Sequence, residues 1–291
     1  MTIITPDITR QFIREVRLPA VPRRRRALAD EPPIELKATE AQSLVVGSGL
    51  IIAAENVPVQ TREDLINCTL FAQLAASGAV SSPKEVAEWY DAYFRTLTAL
   101  GWAQSDTQFQ DYKFKSMNVE THKAIMQVIA VLLGPQAAAL VVVKAALDAL
   151  QSMNENSPWI TLFDQQSRLE KFARFQVATA QLDSNGLLQT ALVGFQLKAK
   201  STLTQVLFFK FSKSATTVKY AAGKATIYEA ALAAQRAAIA ARLADYRSAY
   251  IGQVQFPPPP GAGTRGMRRA ARRTGRRVKV FKFRPGEYLR G

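Results

Sequence analysis

The sequence predicts an α+β fold: N-terminal helices and an apolar helical hairpin, an antiparallel sheet of about four strands, a long C-terminal helix and a disordered basic tail. Three observations predict it. Between residues 61 and 152, apolar side chains recur at helical spacing and are punctuated by Gly and Pro. Between 172 and 221 the pattern changes to runs rich in Phe, Val and Thr. An alanine-rich amphipathic stretch then runs to Tyr250 and meets four consecutive prolines, Pro257 to Pro260.

Residues 1–36 read as a flexible Pro/Arg arm, because Pro6, Pro19, Pro22, Pro32 and Pro33 prevent a long helix. Residues 37–256 form a single α+β globular domain, long enough to bury a sizeable core. SLVVGSGLIIAA, Ser43 to Ala54, carries no charge and is buried, as strand or as helix. Thr61 looks like an N-cap, with Glu63 and Asp64 in a first turn that favours negative charge. Leu65, Cys68, Ala72 and Ala75 share one face of that helix, and Gly78 stops it. Ser82-Pro83-Lys84-Glu85 has the form of a capping box, and the helix it opens ends at Gly101. Residues 107–115 read as extended.

A strongly apolar helix is predicted from Val119 to Leu133 and a second from about Gln136 to Ser152, with a break at Gly134-Pro135. Residues 172–182, 187–200, 203–213 and 215–221 read as strands. Asp183-Ser184-Asn185-Gly186 is a hairpin turn, and strands so close in sequence pair antiparallel. The closing helix should carry Tyr228, Leu232, Ile239, Leu243, Tyr246 and Tyr250 on one stripe against a sheet face. PPPPGAG opens a Pro/Gly hinge over 257–264, followed by an Arg-rich tail over 265–291.

The formal net charge of +15 is unevenly placed. Residues 257–291 hold eleven Lys and Arg against Glu287 alone, whereas 36–256 hold twenty basic and seventeen acidic residues. Positive charge therefore describes the tail, and it implies an acidic partner. Arg268-Arg269, Arg272-Arg273 and Arg276-Arg277 repeat every four residues. With Arg265, Lys279, Lys282 and Arg284 they form a polyanion-binding set, since guanidinium forks match phosphate geometry. Phe281 and Phe283 alternate with the lysines, which fits stacking on bases or contact with lipid. The Arg23–Arg26 run reads as a solvated linker.

No catalytic motif stands out, and neither a cofactor nor a metal is expected. One cysteine, Cys68, and one histidine, His122, exclude an intrachain disulfide and a Cys/His zinc site within the chain. Both read as structural rather than as a catalytic thiol–histidine pair. Val46-Gly47-Ser48-Gly49 begins like a dinucleotide-binding loop, but Ile52 stands where the third small residue belongs, so it reads as a bend in a buried strand. The N-terminus shows no signal-peptide pattern, so synthesis in the cytoplasm is expected, with signal-independent export open.

Lys123 and Lys144 bracket twenty uncharged residues, the length of a bilayer span. Gln127, Gln136 and the central Gly-Pro favour a buried helix pair. The alternative is a latent membrane hairpin carrying Val131, Leu132, Leu133, Gly134, Pro135, Leu140, Val141, Val142 and Val143. Two functions follow. The first is a non-enzymatic binding protein whose tail holds a polyanion, most simply nucleic acid. The second is a membrane-active effector or toxin that uses 124–152 and reaches anionic membrane with its basic tail.

Overall fold

The computed structural model describes residues 6–21, 34–80, 82, 85–105, 107–113, 118–152, 157–200, 202–203, 206–207, 210–212 and 215–254. The tail and the Arg23–Arg26 run lie outside them.

The fold is α+β, with a larger sheet than the sequence predicts. Among the described residues, nine strands join one mixed sheet whose path is β11 (Ile251–Gln253), β1 (Gln42–Val46), β2 (Gly49–Ala53), β7 (Phe172–Leu182), β8 (Leu188–Ala199), β10 (Thr216–Ile227) and β3 (Trp102–Gln104). β4 (Gln110–Asp111) pairs with β10, and β6 (Arg168–Leu169) with β7. The expected antiparallel core is β7, β8 and β10, in continuous register from Phe172↔Lys198 to Leu182↔Leu188. The added strands come mainly from the apolar Ser43–Ala54 segment, which folds as the β1–β2 hairpin around Gly47-Ser48. All five residues of each of its strands are buried, because helices cover both faces, so no alternation marks them in sequence. β2 then pairs parallel with β7, and the intervening helices form the crossover. Of the strand expected over 203–213, the described residues show β9 (Lys210–Ser212), and it pairs with β5 (Asn118–Glu120) in a separate two-stranded sheet; residues 204–205, 208–209 and 213 lie outside the described residues.

Helices α2 (Val59–Ala79) and α3 (Val86–Ala99) cover one face. Both start away from the predicted caps: α2 begins before Thr61 with Pro58 at its N-cap, and α3 begins at Val86 with Glu85 at its N-cap. α2 is buried nearly all round rather than on one stripe. Its outer side meets α8 (Arg236–Tyr250), which packs in turn on α1 (Pro6–Glu15). Residues 6–15, read from their prolines as part of an arm, thus form a ten-residue helix that buries Ile13. Arg242 donates to the Ile13 and Val16 carbonyls and the Tyr246 hydroxyl to that of Pro19.

The single closing helix is in fact two, α7 (Glu229–Ala233) and α8, and α8 lies on α2 rather than on the sheet. Arg236 bridges the break, donating to Asp64 on α2 and to Glu229 on α7. Tyr228 caps α7 and is exposed, so it leaves the predicted stripe; the other five members are buried. The opposite sheet face carries α4 (Thr121–Leu133), α5 (Ala138–Ser152) and α6 (Pro158–Ser167).

Between sheet and helices lies a buried polar network. Ser48 Oγ donates to Gln176 Oε1, Gln73 Nε2 donates to Gln176 Oε1 and to the Val46 carbonyl, and Gln176 Nε2 donates to the Tyr90 hydroxyl. The Tyr90 hydroxyl in turn lies 2.8 Å from the carbonyls of Phe175 and Phe195. Such a network fixes the register of helix on sheet, because any shift would leave buried groups unmatched.

Candidate functional site

α4 and α5 form the apolar hairpin that the sequence predicts, with residues 134–137 between them. Gly134 has φ +90°, a conformation that ends α4 and that a side chain would strain. Its amide donates to the Ala130 carbonyl, and Ala137 then donates to the Gly134 carbonyl. Ala124, Ile125, Val128 and Ile129 of α4 face inward, as do Ala139, Val142, Val143 and Ala146 of α5.

The expectation of a wholly buried pair fails at the tip. Ala124, Val128 and Val131 fall on one stripe of α4, yet their exposures are 1%, 5% and 87%. The last turn of α4 therefore runs past whatever covers the rest of the stripe. Val141 is 70% exposed and shares the outer face of α5 with Ala138 and Asp148. Leu132, Leu133, Gly134 and Leu140 are half-buried, Pro135 is exposed, and Val142 and Val143 are buried. The hairpin residues thus divide into an inner anchoring set and an outer apolar set.

Two more apolar residues join the outer set. The backbone amide of Ala139 donates to Gln181 Oε1 (2.9 Å), which ties the first turn of α5 to the end of β7. Beyond the end of β7, Leu187 in the loop (65%) and Leu188, the first residue of β8 (40%), are exposed. The end of the sheet at Leu182 and Leu188 therefore carries an apolar rim, with Val131 and Val141 on the α4–α5 side, Leu187 in the loop, and Leu188, which pairs with Leu182, projecting on the α2–α3 side. Sequence reasoning passed over both leucines because they follow the hairpin turn and read as the start of a strand. Two leucines directly after Asn185-Gly186, where a solvated turn is expected, were the available signal.

Among the described residues no helix is long and apolar enough to cross a membrane. α4 has 13 residues and α5 has 15. At about 1.5 Å per residue each is roughly 20 Å long, against about 30 Å of bilayer hydrocarbon. The turn at Gly134-Pro135 divides the twenty uncharged residues, so their continuous length does not describe either helix.

The other candidates resolve differently. Gly47-Ser48 is a two-residue hairpin turn, not a phosphate loop, and the Ser48 amide is taken by Gln73 Oε1. Cys68 and His122 sit on α2 and α4, which cover opposite faces of the sheet. Burial pushes the Cys68 thiol up to about 12, and burial lowers the pKa of His122. A cavity of about 210 Å³ lies between α2 and α8, but its charged groups are already paired: Asp64 with Arg236 at 2.7 Å and Glu63 with Arg247 at 3.9 Å. No His, Cys, Asp and Glu cluster among the described residues could hold a metal ion. The tail set, Arg265 to Arg284 with Phe281 and Phe283, lies outside the described residues.

No family model and no curated protein matches this chain. Among solved structures it is similar to a delta-endotoxin, with a TM-score of 0.40 and 15% identity over 72% of this chain and 91% of that one. It is also similar to the Evf virulence factor, with a TM-score of 0.35 and 10% identity over 70% of this chain and 84% of that one.

Proposed function

We propose that this protein is a membrane-active effector whose α4–α5 tip enters the interfacial layer of a bilayer. The observation that supports the reading is the outer apolar set: Val131 and Val141 stand in water at the end of a hairpin without a charge from Ala124 to Val143. Exposing them costs free energy that transfer into lipid recovers, and the buried inner set holds the hairpin to the sheet meanwhile. The basic tail supplies the second signal, drawing the protein to anionic lipid.

The test is dye release and co-flotation with vesicles of phosphatidylcholine, with and without phosphatidylserine. Binding and release from the anionic vesicles are expected. Replacing Arg272 and Arg273 by Gln should weaken anionic-vesicle binding by roughly 30-fold, at about 1 kcal/mol per arginine, and leave neutral vesicles unaffected. Absence of binding and release on both compositions removes the proposal.

A second reading rests on the ten basic residues from Arg265 to Arg284. In it the tail binds nucleic acid and the body is a carrier. Six to eight phosphate contacts would give a log K against log salt slope of about −5 to −7 on duplex DNA, flattened by about two when Arg272 and Arg273 are replaced.

A further inference from the structure

Arg174 differs from the other arginines packed in the body. Arg62 donates to the carbonyls of Val57, Ala38 and Ala54 and to Gln42 Oε1. Arg236 has Asp64 and Glu229, and Arg242 has two carbonyls. Among the described residues, no hydrogen bond or ion pair reaches the Arg174 side chain. Its Nε is sealed from solvent without a partner, and its guanidinium lies 4.2 Å over the Trp89 ring. Burial pulls its pKa down to about 10. A cation desolvated without an anion is costly, so a fold that keeps one has a use for it.

The register gathers more positive charge beside it. Arg174 pairs with Gln196, which pairs with Lys219; one step along, Phe172 pairs with Lys198, which pairs with Thr217. Directly paired residues project from the same face, so Arg174, Lys198 and Lys219 all stand on the α2–α3 side, at the end of the sheet that the start of α3 with Trp89 approaches. Lys198 and Lys219 are exposed, and the Lys198 ammonium lies 5.7 Å from the Phe172 ring. Among the described residues the carboxylate paired there is Asp111, 3.8 Å from Lys219 Nζ and itself largely exposed. Across two strand spacings Arg174 and Lys219 are about 10 Å apart at Cα, within reach of one bound group.

We propose that this end of the sheet binds a soluble phosphate ester, received by the guanidinium fork of Arg174 against Trp89 and neutralised by Lys198 and Lys219. The fork presents paired N–H donors to two phosphate oxygens, and stacking on an indole fixes its plane. The ligand is soluble because the site lies eight residues up β7 from the apolar rim, about 27 Å, and faces water when the rim meets a bilayer.

The experiment follows the Arg174 Nε–H and Trp89 Nε1–H resonances of the labelled full chain. Glycerol 3-phosphate, inorganic phosphate and chloride are titrated at constant ionic strength, with phosphatidate vesicles as a separate arm. Both phosphates should move both resonances along a saturating curve, and chloride should not. Arg174→Lys, which keeps the charge and loses the fork, should weaken glycerol 3-phosphate by about tenfold or more, and Lys198→Gln with Lys219→Gln by a comparable factor. The proposal is overturned if phosphate moves the Arg174 resonance no further than chloride does. It is equally overturned if Arg174→Lys binds as tightly as wild type, or if only the vesicles produce the shift. Since the readout is local to β7, it can fail while vesicle binding at the rim persists, and the reverse.

Discussion

Replacing Val131 and Val141 together by Ser separates a membrane-seeking tip from an ordinary helix surface. Both side chains are mostly in water, 87% and 70% exposed, and Ser and Val have similar helix propensity. Surface changes of this kind stay within about 0.5 kcal/mol each, so the thermal midpoint should move by about 4 °C or less. The effect on lipid is larger. Burying a whole Val is worth about 1.5 kcal/mol, so scaling by exposure the pair contributes about 2–3 kcal/mol on entering a bilayer. Vesicle partition should therefore fall by roughly 30- to 150-fold. Flotation with liposomes measures the partition, and a thermal scan of the same samples measures stability. Val143→Ser is the control, since Val143 is fully buried: it should destabilise the fold by about 2 kcal/mol or more. If the double variant partitions like wild type, the exposed valines are plain surface and the reasoning fails.

Three further outcomes test the fold that holds the tip. Gly186 has φ +75° and nothing within 4 Å of an added Cβ, so Gly186→Val should cost about 1–2 kcal/mol from backbone strain alone, while Gly186→Asn costs little; equal denaturation midpoints for the two variants would contradict this. Gln176→Leu leaves the donors of Ser48 and Gln73 without their shared acceptor inside the core, and should lower stability by about 2–4 kcal/mol in urea titration; a change under about 0.5 kcal/mol would show that the network is dispensable. Cys68, buried and with its thiol pushed up to about 12, should resist an aromatic disulfide reagent at pH 8 in the native protein and react only once urea unfolds it; fast native labelling would place it at the surface.

The sequence made some of this legible and hid the rest for physical reasons. β7 and its hairpin turn were readable to the residue, because Asn-Gly chemistry and β-rich runs act locally. The α4–α5 pair was readable from Gly134-Pro135 for the same reason. β1 and β2 were not, since burial on both faces erases the alternation that marks a strand. α1 was missed because its stability rests on α8, over two hundred residues away, and not on its own prolines. Val131 looked like core because it continues an inward stripe; only the three-dimensional end of the cover exposes it. Nothing local in the sequence marks Arg174, because its isolation depends on which groups the fold did not bring near it.

The most direct test of membrane contact by the tip is depth-resolved quenching of a solvent-sensitive fluorophore. Single cysteines at 131, 141 and 148 would be labelled in a Cys68→Ala background, and the proteins bound to vesicles whose lipids carry a nitroxide in the acyl chain. Position 148 lies on the same outer stripe of α5 as Val141, two turns and about 10 Å further from the tip. Blue-shifted, quenched emission is expected at 131 and 141 and unchanged emission at 148. Emission unchanged at 131 and 141 on vesicles that demonstrably bind the protein, or quenching at 148 as strong as at 131, would contradict it.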